Sequence, residues 1–352
     1  MERFPEQRPP KGGRHDELSD AVRENHAKFI RELKQQETQY AKDDPASVSF
    51  LKEELASIDF TLLKEIIFRY ARKSGVSEDH FNWPDPSNIK ILPNTDLIEA
   101  SAMYDPISNT LSITPELFTD IDGKILSRPD ELPRLSRTRL LFVVAHEYLH
   151  ATGLVVLSDF KSEHSKFKGK HVQHVVGYAT EDQYLSKRGK TLARGSMFNL
   201  FNEGITTRMT DQIVEEYLRR SGTSELKGIA ILLQATHRNA PLRYVLASEI
   251  IEDITEKIAS NTGISKEVVW EGFVSSYFNG DWYLVEDTLD LFEETVGKEV
   301  LEEIADMQFS DEEEVRRLRQ KIRKGLPPMR EELGRRWLKA IYPEAAAGMP
   351  PV

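Results

Sequence analysis

The sequence predicts an α+β protein: a small β-sheet, then a buried helix, then a mostly helical C-terminal region. Three observations carry this reading. Apolar residues recur at helical spacing over residues 48–73 and again from Asn199 onward. Short alternating segments bounded by Pro, Asn and Asp cluster between Ile89 and Thr114. The run Leu140-Leu141-Phe142-Val143-Val144-Ala145 is apolar on every side of a helical wheel, the mark of a helix buried all round.

Residues 1–15 are polar and rich in Pro and Gly and read as a disordered lead. From Glu17 to about Lys42 sparse apolar positions (Leu18, Val22, Phe29, Leu33) predict an exposed helix, or one folded onto a partner surface, which Asp44-Pro45 ends. A second helix is predicted from Val48 to Lys73, with Gly75 at its C-terminal end. Trp83-Pro84-Asp85-Pro86 is loop chemistry. Ile89–Leu92, Ile98–Tyr104 and Thr110–Thr114 read as strands, the last two joined by a turn at Asp105–Asn109. A polar stretch, Asp122 to Pro133, leads to the apolar helix, with Ser136 as its expected N-cap and Gly153 as its stop. Residues 158–170 are charged and loop-like. His171–Ala179 and Tyr184–Ala193 suggest a hairpin turning at Thr180-Glu181-Asp182-Gln183. An amphipathic helix follows over Asn199–Arg220. Beyond Gly222 the chain reads as helical to about Lys324, punctuated at Asn261-Thr262-Gly263 and Phe278-Asn279-Gly280-Asp281. The tail beyond Tyr342 is expected to be poorly ordered. The expected organisation is therefore 1–45 (lead and exposed helix), 46–130 (helix plus small sheet), 131–222 (the part bearing the motif described next), 223–342 (helical domain) and 343–352 (disordered tail).

Composition narrows the function. With 30% charged and 39% apolar residues the chain has the balance of an ordinary soluble globular protein. A net charge of −11 argues against binding a phosphate backbone, so no nucleic-acid partner is expected. The chain has no cysteine, which excludes disulfides and leaves histidine and carboxylate as the only strong metal ligands. Met1–Arg14 carries no apolar core of a secretory signal, and no run of about 18 apolar residues occurs. Cytoplasmic residence without a membrane partner is the expectation, and composition leaves the oligomeric state open.

The chemistry concentrates in His146-Glu147-Tyr148-Leu149-His150, which ends the apolar run. On a helix the two histidines, four residues apart, share one face and can reach a single ion, with a glutamate beside it to handle a proton. Two imidazoles and a carboxylate at the end of a buried helix are costly unless compensated, and a divalent cation supplies that compensation. A catalytic zinc takes a third protein ligand and keeps an open position. No histidine occurs in Ala151–Val156. His164 sits in a charged segment, and His171 and His174, three apart on a strand, face opposite sides. Glu203, on the inward side of the 199–220 helix with Leu200, Thr207, Thr210, Val214 and Leu218, is the better candidate. Arg208, Asp211, Glu215 and Glu216 lie on that helix's opposite side.

His-Glu-Tyr-Leu-His followed at a distance by Asn202-Glu203-Gly204-Ile205-Thr206 resembles the gluzincin branch of the zincin metallopeptidases, over roughly residues 88–220. The resemblance implies a zincin-like core with the motif helix at the active site, its cleft lying beneath the small sheet. It implies one zinc ion per chain on His146, His150 and Glu203, with Glu147 as general base toward a zinc-bound water. It also implies a peptide or protein substrate aligned along an edge strand near Leu111–Thr114. The chain departs from the pattern in two ways. The 52 residues between His150 and Glu203 are a longer gap than in thermolysin-like members. Thr207 stands where this branch often has a carboxylate orienting a zinc histidine. The oxyanion donor is open among Tyr178, Tyr184, Arg194, Tyr217 and His237, although the wheel position of Tyr217 beside Phe201 and Ile213 favours core packing. The alternatives are a metal-stabilised interaction protein or inactive zincin-like protein without turnover, and a non-peptidase hydrolase. The C-terminal aromatics (Trp270, Phe273, Tyr277, Phe278, Trp282, Tyr283) read as core. The basic run Arg316–Lys324, following Asp311–Glu314, reads as an exposed helix with paired charges. An inhibitory role for the N-terminal helix would rest on its position alone.

Overall fold

The computed structural model describes residues 20–77, 81–93, 102–106, 108–115, 132–153, 155–161, 169–177, 179–186, 191–222, 242–279, 296–307 and 312–325, with residue 336. Three helices open the described chain: α1 (Asp20–Asp43), α2 (Pro45–Ala56) and α3 (Phe60–Lys73). The single helix expected over 48–73 is two. The amides of Ser57 and Ile58 fold back onto the carbonyls of Glu54 and Leu55 at 3.1 Å, and the Asp59 carboxylate then accepts from the Leu62 amide at 2.9 Å. A C-terminal turn and an N-cap thus sit inside a continuous apolar pattern, which keeps both halves on the core. Tyr217 completes the break, its hydroxyl accepting from the Asp59 amide at 2.7 Å.

A three-stranded sheet follows: β1 (Lys90–Ile91), β2 (Ala102–Asp105) and β3 (Thr110–Ile113), in the order β1-β3-β2. β1 pairs parallel to β3, and β2 pairs antiparallel to it. The segment Leu111–Thr114 therefore supplies the centre of the sheet, not its edge, because β1 occupies its far side. β1 and β2 are the two edge strands among the described residues, and β2 is the one that packs against the motif helix. Residues 98–101 of the second expected strand lie outside them. The Asp105–Asn109 turn is as expected, with the Ser108 hydroxyl donating to Asp105 and Asn109 at φ 50°. Alternation along β2 buries Ala102 and Tyr104 on one face. On the other face α1 docks: Ile30 and Leu33 pack against Leu92 and Met103, His26 bonds Asp105 at 2.8 Å, and Lys90 meets Glu37 at 3.4 Å. The first helix is thus a cover for the chain's own sheet.

α4 (Leu132–Thr152) carries the apolar run, and Leu140, Val144 and Ala145 are wholly buried. It starts a turn before Ser136, so that residue is not its N-cap. Gly153 closes it, its amide bonding the Leu149 carbonyl at 2.8 Å. Between α4 and the next helix lies a four-stranded antiparallel meander: β4 (Val155–Lys161), β5 (Gly169–Val176), β6 (Ala179–Ser186) and β7 (Thr191–Met197). Only a hairpin was expected there, with its turn at 180–183 and a loop from 158. Instead Val176 pairs with Ala179, the turn begins at Gly177, and residues 158–161 are strand. Gly177 at φ +57° supplies the left-handed turn residue, and the start of the charged stretch, residues 158–161, pairs with β5.

α5 (Asn199–Arg220) has the expected bounds. It is followed by α6 (Leu242–Thr262), α7 (Lys266–Asn279), α8 (Lys298–Asp306) and α9 (Glu312–Gly325). One buried apolar cluster runs from Val48 in α2 to Ile322 in α9. Trp270, Phe273, Tyr277 and Phe278 lie in it, whereas Trp282 and Tyr283 fall outside the described residues. The basic run of α9 is paired, but across to neighbouring helices (Arg319 with Glu249 and Asp253, Arg323 with Asp253, and Lys321 with Glu303), and the helix is not the exposed one expected, since Val315, Leu318 and Ile322 are wholly buried. No helix among the described residues is long and apolar enough to cross a membrane. α5 and α6 cross closely at Gly204, where an added Cβ would stand 2.6 Å from the Ala247 carbonyl oxygen. Gly204→Ala is expected to force the two helices apart and cost about 1–3 kcal/mol, read as a lowered urea midpoint. A midpoint at the wild-type value would contradict the close crossing.

Candidate metal centre

The motif lies in the last two turns of α4, and its two middle residues set the helix's rotation. Tyr148 is wholly buried; its hydroxyl donates to the Pro84 carbonyl at 3.0 Å and its ring packs 4.3 Å from that of Trp83. Leu149 is wholly buried in the core. With those two side chains committed to the core, helical geometry turns His146, Glu147 and His150 toward α5 and the sheet. α5 starts at Phe198, buried and left-handed at φ 58°, with its amide bonded to the Ala305 carbonyl at 3.0 Å. One turn later Glu203 meets the two histidines.

The ligand atoms converge. His146 Nε2 stands 3.0 Å from Glu203 Oε2, His150 Nε2 3.4 Å from Glu203 Oε1, and the two Nε2 atoms 3.1 Å from each other. Atoms bound at about 2.0–2.1 Å to a four-coordinate zinc stand roughly 3.3–3.4 Å apart, so the three groups have the spacing of one face of a tetrahedral site. His146 and His150 are buried, whereas Glu203 and Glu147 keep part of their side chains open to solvent. These residues could hold a metal ion, and the donor set of two imidazoles and a carboxylate suits a borderline divalent cation.

The electrostatics follow from this packing. Burial pushes the Glu147 carboxyl up and the Glu203 charge adds to it; the two imidazoles and the Tyr104 backbone amide pull partly back. Burial alone would also raise Glu203, but the imidazoles of His150 and His146 outweigh it and hold this carboxyl well below the usual range. Burial opposes a charged His150, yet Glu203 beside it prevails and its pKa is raised.

Behind the ligands, Tyr277 of α7 places its hydroxyl 3.4 Å from His150 Nδ1, and Asn202 stands 3.5 Å from the same nitrogen. Tyr244 of α6 meets the His146 ring edge-on at 5.7 Å. Among the described residues neither His146 Nδ1 nor the buried Thr207 hydroxyl finds a hydrogen-bond partner. Sequence reasoning brought together His146, His150 and Glu203 but missed Tyr244 and Tyr277, which come from helices far down the chain. The only hint lay in the aromatic run 270–278, which reads equally well as core. Of the five oxyanion candidates, Tyr217 is engaged at the α2–α3 break. Tyr178 and His237 lie outside the described residues, as do the side chains of Tyr184 and Arg194 and of the histidines at 171 and 174; His164 lies outside them too.

No family model matches this chain, and neither a curated protein nor a solved structure does.

Removal of Glu203 tests the ligand set. Glu203→Ala is expected to weaken zinc binding by more than the roughly 10–100-fold that loss of a supporting partner causes, measured by competition with a chromophoric chelator. Zinc held at wild-type affinity would remove Glu203 from the set. Glu203 also raises the His150 pKa, so a proton competes with the ion for this ring. Affinity should therefore rise with pH until the raised His150 pKa is passed, with proton release on binding visible as a buffer-dependent heat in calorimetry. A pH-independent affinity would contradict a protonated ligand.

Proposed function

We propose that this chain is a zinc-dependent peptide hydrolase of the gluzincin type, in which His146, His150 and Glu203 hold the ion and Glu147 handles the proton. The observation that carries the reading is the side-by-side placement of two carboxylates with opposite character. Glu203 is kept ionised by two imidazoles, as a ligand must be. Burial pushes the carboxyl of Glu147, one residue after the first histidine, above its ordinary value, the direction that favours a group which takes and returns a proton. A zinc ion held by the triad would supply Lewis acidity, acidifying a water and polarising a carbonyl.

The chain's own groups supply the rest. Glu147 Oε accepts the proton of the attacking water and delivers it to the departing amine nitrogen, so that its charge at the end equals that at the start. The backbone amide of Tyr104 fixes the carboxylate in place. That amide belongs to β2, one of the sheet's two edge strands, whose other side is already paired with β3. An extended peptide added along β2 would lie beside Glu147, which is why a peptide, rather than a small ester, is the proposed substrate class. The burial of both histidines keeps bulk water from the ligand side, while the partial exposure of Glu147 and Glu203 leaves one approach for substrate.

The test is Glu147→Gln in zinc-loaded protein, assayed against a mixture of unstructured peptides by mass spectrometry. Hydrolysis should fall by about 10²–10⁴-fold with one zinc per chain retained. Undiminished cleavage in the variant, or no cleavage by zinc-loaded wild type, would sink the reading.

A further inference from the structure

We infer that Tyr277 is a positioning residue, whose hydroxyl holds the His150 imidazole as the Nδ1–H tautomer and so leaves Nε2 free for a metal ion. The inference rests on the metal-site reading above and adds a residue that neither the motif nor its spacing reveals.

The protons can be counted. Thr206 carries one hydroxyl hydrogen, and its Oγ1 stands 2.8 Å from the Asn202 carbonyl oxygen, an acceptor that can only receive it. Thr206 Oγ1 is then an acceptor toward the Tyr277 hydroxyl at 3.3 Å. With its own hydrogen donated there, Tyr277 offers only lone pairs to His150 Nδ1 at 3.4 Å. Nδ1 must therefore bear the hydrogen, which leaves the lone pair of the neutral ring on Nε2, the atom facing Glu203 and His146. The chain Nδ1–H to Tyr277, Tyr277 to Thr206 and Thr206 to the Asn202 carbonyl runs in one direction, and each hydrogen in it is used once. The Asn202 side-chain nitrogen, a donor, stands at the same Nδ1 at 3.5 Å; exchanging the amide's oxygen and nitrogen, which leaves its shape unchanged, puts an acceptor there for the same hydrogen.

The socket for this tyrosine is built. Its ring is wholly buried between two glycines from different elements. Gly153 ends α4 three residues after His150, and a Cβ there would stand 2.6 Å from Tyr277 Cε1. Gly177 turns β5 into β6 at φ +57°, and a Cβ there would collide with Tyr277 Cε2. The ring therefore lies where no other residue type at either position would let it lie. A phenylalanine would fill the same socket, so packing does not call for the hydroxyl; the hydrogen bond to the ligand's rear nitrogen does. Such support fixes ring orientation and tautomer, and its loss elsewhere lowers metal affinity without removing a ligand.

The experiment is zinc competition against a chromophoric chelator on the full chain. Tyr277→Phe should bind zinc about 10–100-fold more weakly, while the thermal midpoint of its metal-free form stays near that of wild type. Thr206→Val should weaken binding in the same direction, and Thr206→Ser should restore it. Should Tyr277→Phe fail to fold, the Thr206 pair decides. Wild-type affinity in Tyr277→Phe, with zinc lost in Glu203→Ala, would overturn the positioning role and leave the metal site standing. If wild type itself takes up no zinc, the metal reading and this inference both fall.

Discussion

The crossing of α4 and α5 is the constraint from which the rest of the molecule follows. Each helix brings groups that neither could bury alone: two imidazoles in the last turns of α4, and a carboxylate one turn into α5. At separations of 3.0–3.4 Å they neutralise part of one another's desolvation cost, and a shift of either helix by a fraction of a turn would leave each as an uncompensated buried polar group. The surroundings read as devices that prevent that shift. Tyr148, hydrogen-bonded to the Pro84 carbonyl, locks the rotation of α4. The Phe198 amide, tied to Ala305 of α8, sets where α5 begins. Gly204, next to Glu203, lets α6 press close enough to hold α5 from behind.

The small sheet belongs to the same logic. Its core-facing side, Ala102 and Tyr104 of β2, rests on α4, and its backbone reaches Glu147. Its outer side would expose Leu92 and Met103 if α1 did not lie across it, so the first helix completes the sheet. A two- or three-stranded ribbon is marginal by itself in water. Here helices on both faces hold it, and among the described residues the unpaired edge of β2 lies beside Glu147.

Much of this was legible in the sequence, and the parts that were not share a physical cause. A helix apolar on all sides that ends in two histidines at i and i+4 buries imidazoles that call for a cation, and the inward position of Glu203 on an amphipathic helix follows from the wheel alone. Local signals also located the Asp105–Asn109 turn and the bounds of α5. The failures occurred where one local pattern served two structures. The apolar rhythm from Val48 to Lys73 continues unbroken across the α2–α3 junction because both helices bury the same face, and only the cap at Asp59 tells them apart. β4 ends in Ser158-Asp159-Phe160-Lys161, polar enough to pass for part of the charged stretch that runs on to residue 170 in the sequence. Sheet order depends on which strands meet in space, so the central place of β3 was not to be read from its own alternation.

The support behind His150 was the least legible of all. Thr207, one turn after Glu203 on the same helix, has a buried hydroxyl that meets no partner among the described residues. A carboxylate beside Glu203 would add a further negative charge to a pocket that already holds Glu203 and Glu147. The neutral phenol of Tyr277 accepts from Nδ1 without that charge, and burial raises its pKa further from ionisation. Such a phenol must come from an element able to place a whole ring behind the ligand, and α7 does so only because Gly153 and Gly177 leave room. The geometry at the metal side thus reaches into the C-terminal helices, and the same aromatic side chain serves the core and the ligand. A residue with two such uses looks, in sequence, like one with the commoner use alone.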